Sequence, residues 1–100
     1  MEKNEKTIAQ KIEEWKAKYG EVFMYEVDGK KCFLHKPSRS VLSAAASTSK
    51  GDNIRYNEFV LKNCWIDGDE EIRKDDGLFL GISQQLTELI GIKEGELKKL

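Results

Sequence analysis

Residues 22–35 set the architecture of this chain, and they read Val22-Phe23-Met24-Tyr25-Glu26-Val27-Asp28-Gly29-Lys30-Lys31-Cys32-Phe33-Leu34-His35. Two runs rich in aromatic and β-branched residues flank the dipeptide Asp28-Gly29. Both of these residues tolerate the positive φ angles of a two-residue turn, which makes this pattern a strong hairpin signal. The segment therefore predicts a β-hairpin in which Val27 lies opposite Lys30.

The two faces of the predicted hairpin differ in polarity because side chains alternate along a strand. One face, which we expect to pack on the core, carries Phe23, Tyr25, Val27, Cys32 and Leu34. The other face carries Val22, Met24, Glu26, Lys31, Phe33 and His35. This second face is half apolar, so we expect a helix or another chain to cover it. A two-stranded sheet is marginally stable in water, so the hairpin must also pack on helices or pair with a further strand.

Helices are predicted on both sides of the hairpin. The first, residues 5–19, carries one apolar stripe and ends at Gly20; we expect it to dock on the core, and the alternative is a helix offered to a partner. An alanine-rich helix follows to Ser49, capped by Ser38 or Ser40. A third helix, 54–65, is capped by Asp52 or Asn53, and its apolar face covers more than half of its circumference.

The last third of the chain is predicted to be a polar connector followed by one long helix. Residues 66–77 form a solvated acidic connector, with Asp75 or Asp76 as the next N-cap. The helix 78–92 buries one face and leaves Leu80 exposed, and a short turn at 94–100 closes the chain. The whole sequence thus predicts one α+β domain, residues 1–100, with the N-terminal helix at 5–19, a β-hairpin at 22–36 and a helical part at 38–100, about four helices in all.

Composition and charge exclude several classes of protein. The formal net charge is −1 over 100 residues, which argues against general nucleic-acid binding. That class would require one basic patch made of Lys30, Lys31, Lys36, Arg39 and Lys50. No window approaches the ~18 to 20 apolar residues of a membrane span, and no secretory signal precedes the domain, so we expect a cytoplasmic protein that does not bind membranes.

The sequence carries no recognisable catalytic or metal-binding constellation. Cys32 and Cys64 are expected to be reduced and partly buried. The spacing from Cys32 to His35 lacks the further ligands of a zinc site. An EF-hand reading that starts at Asp67 fails, because Ile72 stands where the loop needs glycine. We therefore expect a protein that is not an enzyme and has no cofactor, metal or small-molecule substrate.

Over roughly residues 21–100, beginning with the strand pair, the chain resembles small tail assembly chaperones of phages and prophages. The residues that carry the resemblance are Lys36-Pro37-Ser38, the alanine-rich run 41–47, Leu61-Lys62-Asn63-Cys64-Trp65-Ile66-Asp67-Gly68-Asp69-Glu70-Glu71-Ile72, Asp75-Asp76 and the final segment 96–100. The resemblance implies a non-enzymatic chaperone in the cytoplasm of the bacterial host. Its partner would be the tape measure protein, or another phage tail protein, kept soluble until the tail tube polymerises around it.

Surplus apolar side chains are the candidate partner-binding residues, and a homo-oligomer is a further possibility that they raise. The candidates are Met24, Phe33, Trp65, Leu80, Leu97 and Leu100. The alternative function is a small bacterial adaptor or regulatory domain that binds another protein through the hairpin edge by strand addition.

Overall fold

The computed structural model describes residues 7–100, which form a single small α+β domain, as the sequence predicts. A three-stranded antiparallel sheet packs against helices. In chain order the elements are α1 (Ile8–Tyr19), β1 (Val22–Val27), β2 (Lys30–His35), α2 (Arg39–Ser49), α3 (Asn53–Cys64), β3 (Trp65–Gly68), α4 (Glu71–Lys74), α5 (Asp76–Ser83) and α6 (Leu86–Ile90).

The predicted hairpin is confirmed with its register. Strands β1 and β2 pair antiparallel from Val22 opposite His35 to Val27 opposite Lys30. The turn residues Asp28 and Gly29 have φ angles of 50° and 75°, as a type I′ turn requires. The alternation of side chains therefore places the predicted core face on the core.

The third strand was not predicted from the sequence. Strand β3 pairs antiparallel with β2, so the sheet order is β1-β2-β3 and β2 is central. Trp65 lies opposite Leu34 and Gly68 lies opposite Cys32. The supposed connector 66–77 therefore begins inside the sheet, and continues into α4. The hairpin is therefore stabilised in both of the expected ways: it pairs with a further strand and it packs on helices.

The core lies between the sheet and the helices that follow it. Its buried members come from β2 and from all of the helices after it: Cys32, Leu34, Ala45, Val60, Leu61, Cys64, Ile72, Phe79, Ile82, Leu86 and Leu89. Both cysteines are free and fully buried, as a reduced pair of small apolar residues would be. The predicted core-face residues Phe23, Tyr25 and Val27 of β1 pack against this cluster.

Helix α1 covers part of the opposite face of the sheet. The Trp15 ring lies against Phe33, with ring centroids 5.1 Å apart, and the Tyr19 ring stacks on His35 at 4.4 Å. Thr7 caps the helix reciprocally with Gln10. This helix therefore docks on its own sheet, although the two residues predicted ahead of Thr7 lie outside the described part of the chain.

The helix caps agree with the sequence better than the helix lengths do. Ser38, Asp52 and Asp75 each accept a hydrogen bond from a main-chain amide in the first turn of α2, α3 and α5. The predicted helix 78–92 is instead broken at residues 84–85 into α5 and α6, with its predicted apolar face still buried. The predicted closing turn at 94–100 is wrong, since residues 92–100 form neither helix nor strand. None of the helices within 7–100 has the length and apolar character needed to cross a membrane.

Candidate protein-binding site

The structure places Met24 directly opposite Phe33 in the hairpin and Trp65 opposite Leu34 on β3, and the three side chains differ in exposure. Met24 projects from the outer face of β1 and is 54% exposed. Phe33, on the same face of β2, is only 9% exposed because Trp15 covers it. Trp65 is half-buried against the core, and the Arg73 guanidinium lies 4.3 Å from the centre of its ring. Of these three side chains, Met24 is the one that offers open apolar surface.

The predicted residues of the helical part are all accessible, but they do not form one patch. Leu80 lies on α5 and is 49% exposed, as its polar-side position on the helical wheel predicts. Leu97 and Leu100 are fully exposed on the segment that follows α6. Leu80 therefore belongs to the folded body, whereas the other two belong to an extended C-terminal segment.

A concave surface, here called the helical groove, lies between α3 and the pair α4–α5. One hollow of about 360 Å³ is lined by Ile54, Glu58, Arg73, Lys74, Asp76, Phe79 and Leu80. A second hollow of about 280 Å³ shares Glu58, Arg73, Lys74 and Phe79 with the first and extends to Leu61, Lys62 and Glu70. The α3 positions that line the groove recur at helical spacing, so they form one stripe of that helix.

The helical groove has an apolar floor and a rim of mixed charge. Ile54 and Leu80 line the first hollow from opposite walls, and Ile54 is 53% exposed. The Arg73 guanidinium is held between the Trp65 ring and the Glu70 carboxylate, to which it donates a hydrogen bond. Its Nε is buried and has no hydrogen-bond partner among residues 7–100. Arg73 is thus fixed as a flat wall of the groove.

A separate hollow, here called the edge groove, runs beside the open edge of β1. It has a volume of about 180 Å³ and is lined by Phe23, Met24, Tyr25, Leu34, Gln85, Glu88 and Leu89. Consecutive residues of one strand point to opposite faces of a sheet, so a groove that touches 23, 24 and 25 must lie at the strand edge. In the described part of the chain, no strand pairs with this side of β1.

Neither groove contains an activated nucleophile or a metal-ligand cluster. Burial raises the pKa of both cysteine thiols to about 11, an effect that Arg73 partly opposes at Cys32, so both remain protonated at neutral pH. Burial likewise raises the pKa of Tyr25. His35 projects from the face of β2 opposite to Cys32. Within residues 7–100, no three residues of metal-ligating type are grouped as a metal site requires.

Sequence reasoning missed Ile54, which the helical wheel assigns to the broad apolar face of α3. The sequence signal that could have identified it is its position, because Ile54 is the second residue of α3 and lies in its first turn, where none of the buried residues of the helix is found. Comparisons with protein-family models, with curated proteins and with solved structures find no match to this chain.

Proposed function

We propose that this protein is a non-enzymatic phage tail assembly chaperone that holds helical segments of the tape measure protein in its helical groove, in the cytoplasm of a bacterial host. The observation that carries the proposal is the position of Ile54 and Leu80. These two exposed apolar side chains of the folded body face one hollow. Scattered exposed apolar residues are ordinary, whereas exposed apolar residues that share a concave surface favour a binding site.

The dimensions of the helical groove suit an amphipathic helix. The α3 stripe that lines it runs from Ile54 to Lys62, a rise of about 12 Å along the helix, or roughly two turns. A client helix lying in such a groove presents apolar residues at positions i, i+3 or i+4, and i+7. Phe79 and Leu61 form the floor on which such residues would pack. A long, mostly helical client supplies that pattern many times.

The charged rim fits a chaperone that must remain soluble and accept many segments. Three acidic and three basic side chains line the two hollows: Glu58, Glu70, Asp76, Lys62, Arg73 and Lys74. Charges of both signs can pair with either kind of residue on the polar flanks of a client helix. Such rim pairs contribute little affinity individually, so the apolar floor would supply most of the binding.

The test is co-expression with the cognate tape measure protein, scored as the soluble yield of the client and its co-purification. We expect the wild-type protein to raise that yield several-fold. The double variant Ile54→Lys/Leu80→Lys should lose most of this effect, because it replaces apolar lining of the groove with charged side chains. Both side chains are already half exposed, so the substitutions should leave the core intact. A thermal melt of the variant establishes that the fold is retained.

Ile92→Lys is the matched control, because Ile92 is also an exposed isoleucine but lies outside both grooves. It should solubilise the client as well as the wild type does. The proposal is wrong if the client is equally soluble with and without the protein, or if the groove variant performs as well as the control.

A second candidate function is favoured by the open edge of β1. A protein-binding adaptor could add a partner strand there, with main-chain hydrogen bonds to β1 and side chains in the edge groove. Met24→Lys discriminates between the two candidates. It should abolish partner binding by strand addition and leave client binding in the helical groove unchanged.

A further inference from the structure

We infer that the open edge of β1 pairs with the C-terminal segment, residues 93–100, of a second copy of this chain. This inference goes beyond the proposed function and does not depend on the identity of any client. It starts from the main-chain N–H and C=O groups at the open edge of β1, which no strand among residues 7–100 pairs with. An unpaired strand edge presents a row of hydrogen-bond donors and acceptors that proteins usually cover or block.

The main-chain groups available at this edge can be identified from the hairpin. A two-residue turn is closed by a pair of residues that exchange both hydrogen bonds, here Val27 and Lys30. Hydrogen-bonded pairs alternate with non-hydrogen-bonded pairs along an antiparallel ladder. Tyr25 and Cys32 therefore form the next hydrogen-bonded pair, and the main-chain groups of Tyr25 point toward β2. The main-chain groups of Met24 and Glu26 therefore point toward the open side, where a further strand would bond to them.

The C-terminal segment carries exposed leucines that suit the apolar surroundings of this edge. Residues 92–100 are exposed and form neither helix nor strand. Leu97 and Leu100 are three positions apart, so in an extended strand they point to opposite faces. The open edge offers apolar neighbours on both faces: Met24 on the outer side, and Tyr25 and Val27, which pack against the core, on the other side. One added strand could thus bury both leucines.

Charge complementarity favours an antiparallel register that pairs Lys98 with Glu26. With Leu100 opposite Met24, Lys98 lies opposite Glu26, and Lys99 lies opposite Tyr25 on the side where Glu88 lines the groove. Opposite charges in a direct cross-strand pair are stabilising, and like charges are destabilising. A shift by two residues, which keeps the same faces, would place Glu96 opposite Glu26.

The antiparallel arrangement points to a segment that comes from another copy. Gly91 lies beside Lys36, since a Cβ at Gly91 would lie 3.2 Å from the Lys36 Nζ. Lys36 follows the end of β2 that pairs with Val22, so the segment leaves the domain at the Val22 end of β1. In its own chain it would run parallel to β1. To pair antiparallel with β1 of its own chain, the segment would first have to run past the whole strand, about 20 Å. Too few of residues 93–100 would then remain to turn back and pair.

The first experiment measures mass in solution by light scattering over a concentration series. We expect reversible self-association of the wild type and a monomer after deletion of residues 93–100. Glu26→Lys and Lys98→Glu should each raise the dissociation constant about tenfold, and the combination of both changes should restore association. Hydrogen exchange should show the amides of Met24 and Glu26 protected in the associated form. Ile54→Lys, in the other groove, should leave association unchanged.

A mixing experiment separates exchange between copies from binding within one chain. The deletion variant keeps an intact edge, and the variant Met24→Lys/Glu26→Lys keeps an intact segment. Each alone should be monomeric, and the mixture should form a heterodimer. A wild type that is monomeric at every concentration, a deletion that leaves self-association intact, or a charge swap without recovery would overturn the inference.

Discussion

The indole ring of Trp15 lies against the phenyl ring of Phe33, with centroids 5.1 Å apart and the ring planes inclined at 45°. This tilted contact attaches α1 to the sheet, although no residue of α1 is fully buried. Tyr19 stacked on His35 adds a second contact at the end of the helix. Phe33 owes its burial to a helix that is itself exposed on most of its surface.

Trp15→Ala should release α1 from the sheet without unfolding the rest of the domain. Loss of the aromatic contact and of the half-buried indole should lower the free energy of unfolding by about 2 kcal/mol. Limited proteolysis should then cut within α1, and hydrogen exchange should show its amides unprotected while those of α3 stay protected. Ile8→Ala, at an exposed position of the same helix, should change neither readout.

Arg73 should stabilise the domain through its contact with Trp65 more than through its ion pair. The guanidinium lies over the indole ring and is largely sheltered, whereas Glu70 is half exposed. Arg73→Ala should therefore cost about 1–2 kcal/mol in a chemical denaturation experiment, and Glu70→Gln about 0.5 kcal/mol.

Two further measurements isolate the contact between Arg73 and Trp65. In a Trp15→Phe background, the fluorescence of Trp65 should change on substitution of Arg73. Lys74→Ala, at the next and more exposed position of α4, should change neither the fluorescence nor the stability. Equal effects of the Arg73 and Glu70 substitutions would show that the ion pair dominates.

The hairpin and the helix caps were predictable because their causes are local. Asp28-Gly29 determines the turn and its register, and alternation then determines both faces. Asp52 and Asp75 cap helices by bonding to amides two or three residues away. No tertiary contact is needed for any of these features.

Strand β3 was not predictable in the same way, because its four residues gain their structure from β2. Trp65 continues the apolar periodicity of α3, so the sequence pattern predicts a helix that is one residue longer and does not predict a strand. Pairing with Leu34 and Cys32 supplies the missing stabilisation. The grooves were missed for the same reason, since Ile54 and Leu80 come together only when α3 and α5 pack.

The stability of the protein should fall between pH 9 and pH 11 because of the two buried thiols. Burial raises the pKa of Cys32 and Cys64 from 9.0 to about 11. Below pH 9 both thiols are protonated in the folded and the unfolded chain, so they have no effect on the pH dependence. Between pH 9 and pH 11 the unfolded chain loses protons that the folded chain retains, so unfolding becomes more favourable as pH rises.

The expected slope is up to about 1.4 kcal/mol per pH unit for each thiol, measured by urea denaturation at several pH values. Cys32→Ala/Cys64→Ala should be less stable at neutral pH, because it leaves space in the core, and should show a shallower decline above pH 9. An identical decline in the variant would assign the effect to lysine and tyrosine residues instead.

Gly68→Ala should destabilise the domain far more than the same substitution at another glycine of positive φ. Gly68 has φ of 138°, and a Cβ there would lie 2.4 Å from the Cα of Cys32, a main-chain atom of the central strand that cannot move aside. We expect a loss of more than about 3 kcal/mol, from backbone strain and the displacement of β3 together. Gly51→Ala is the matched control: Gly51 has φ of 88° but open space around it, so strain alone should cost about 1 kcal/mol. Thermal denaturation of both variants gives the comparison. Equal losses would mean that β3 does not approach β2 as closely as the structure places it.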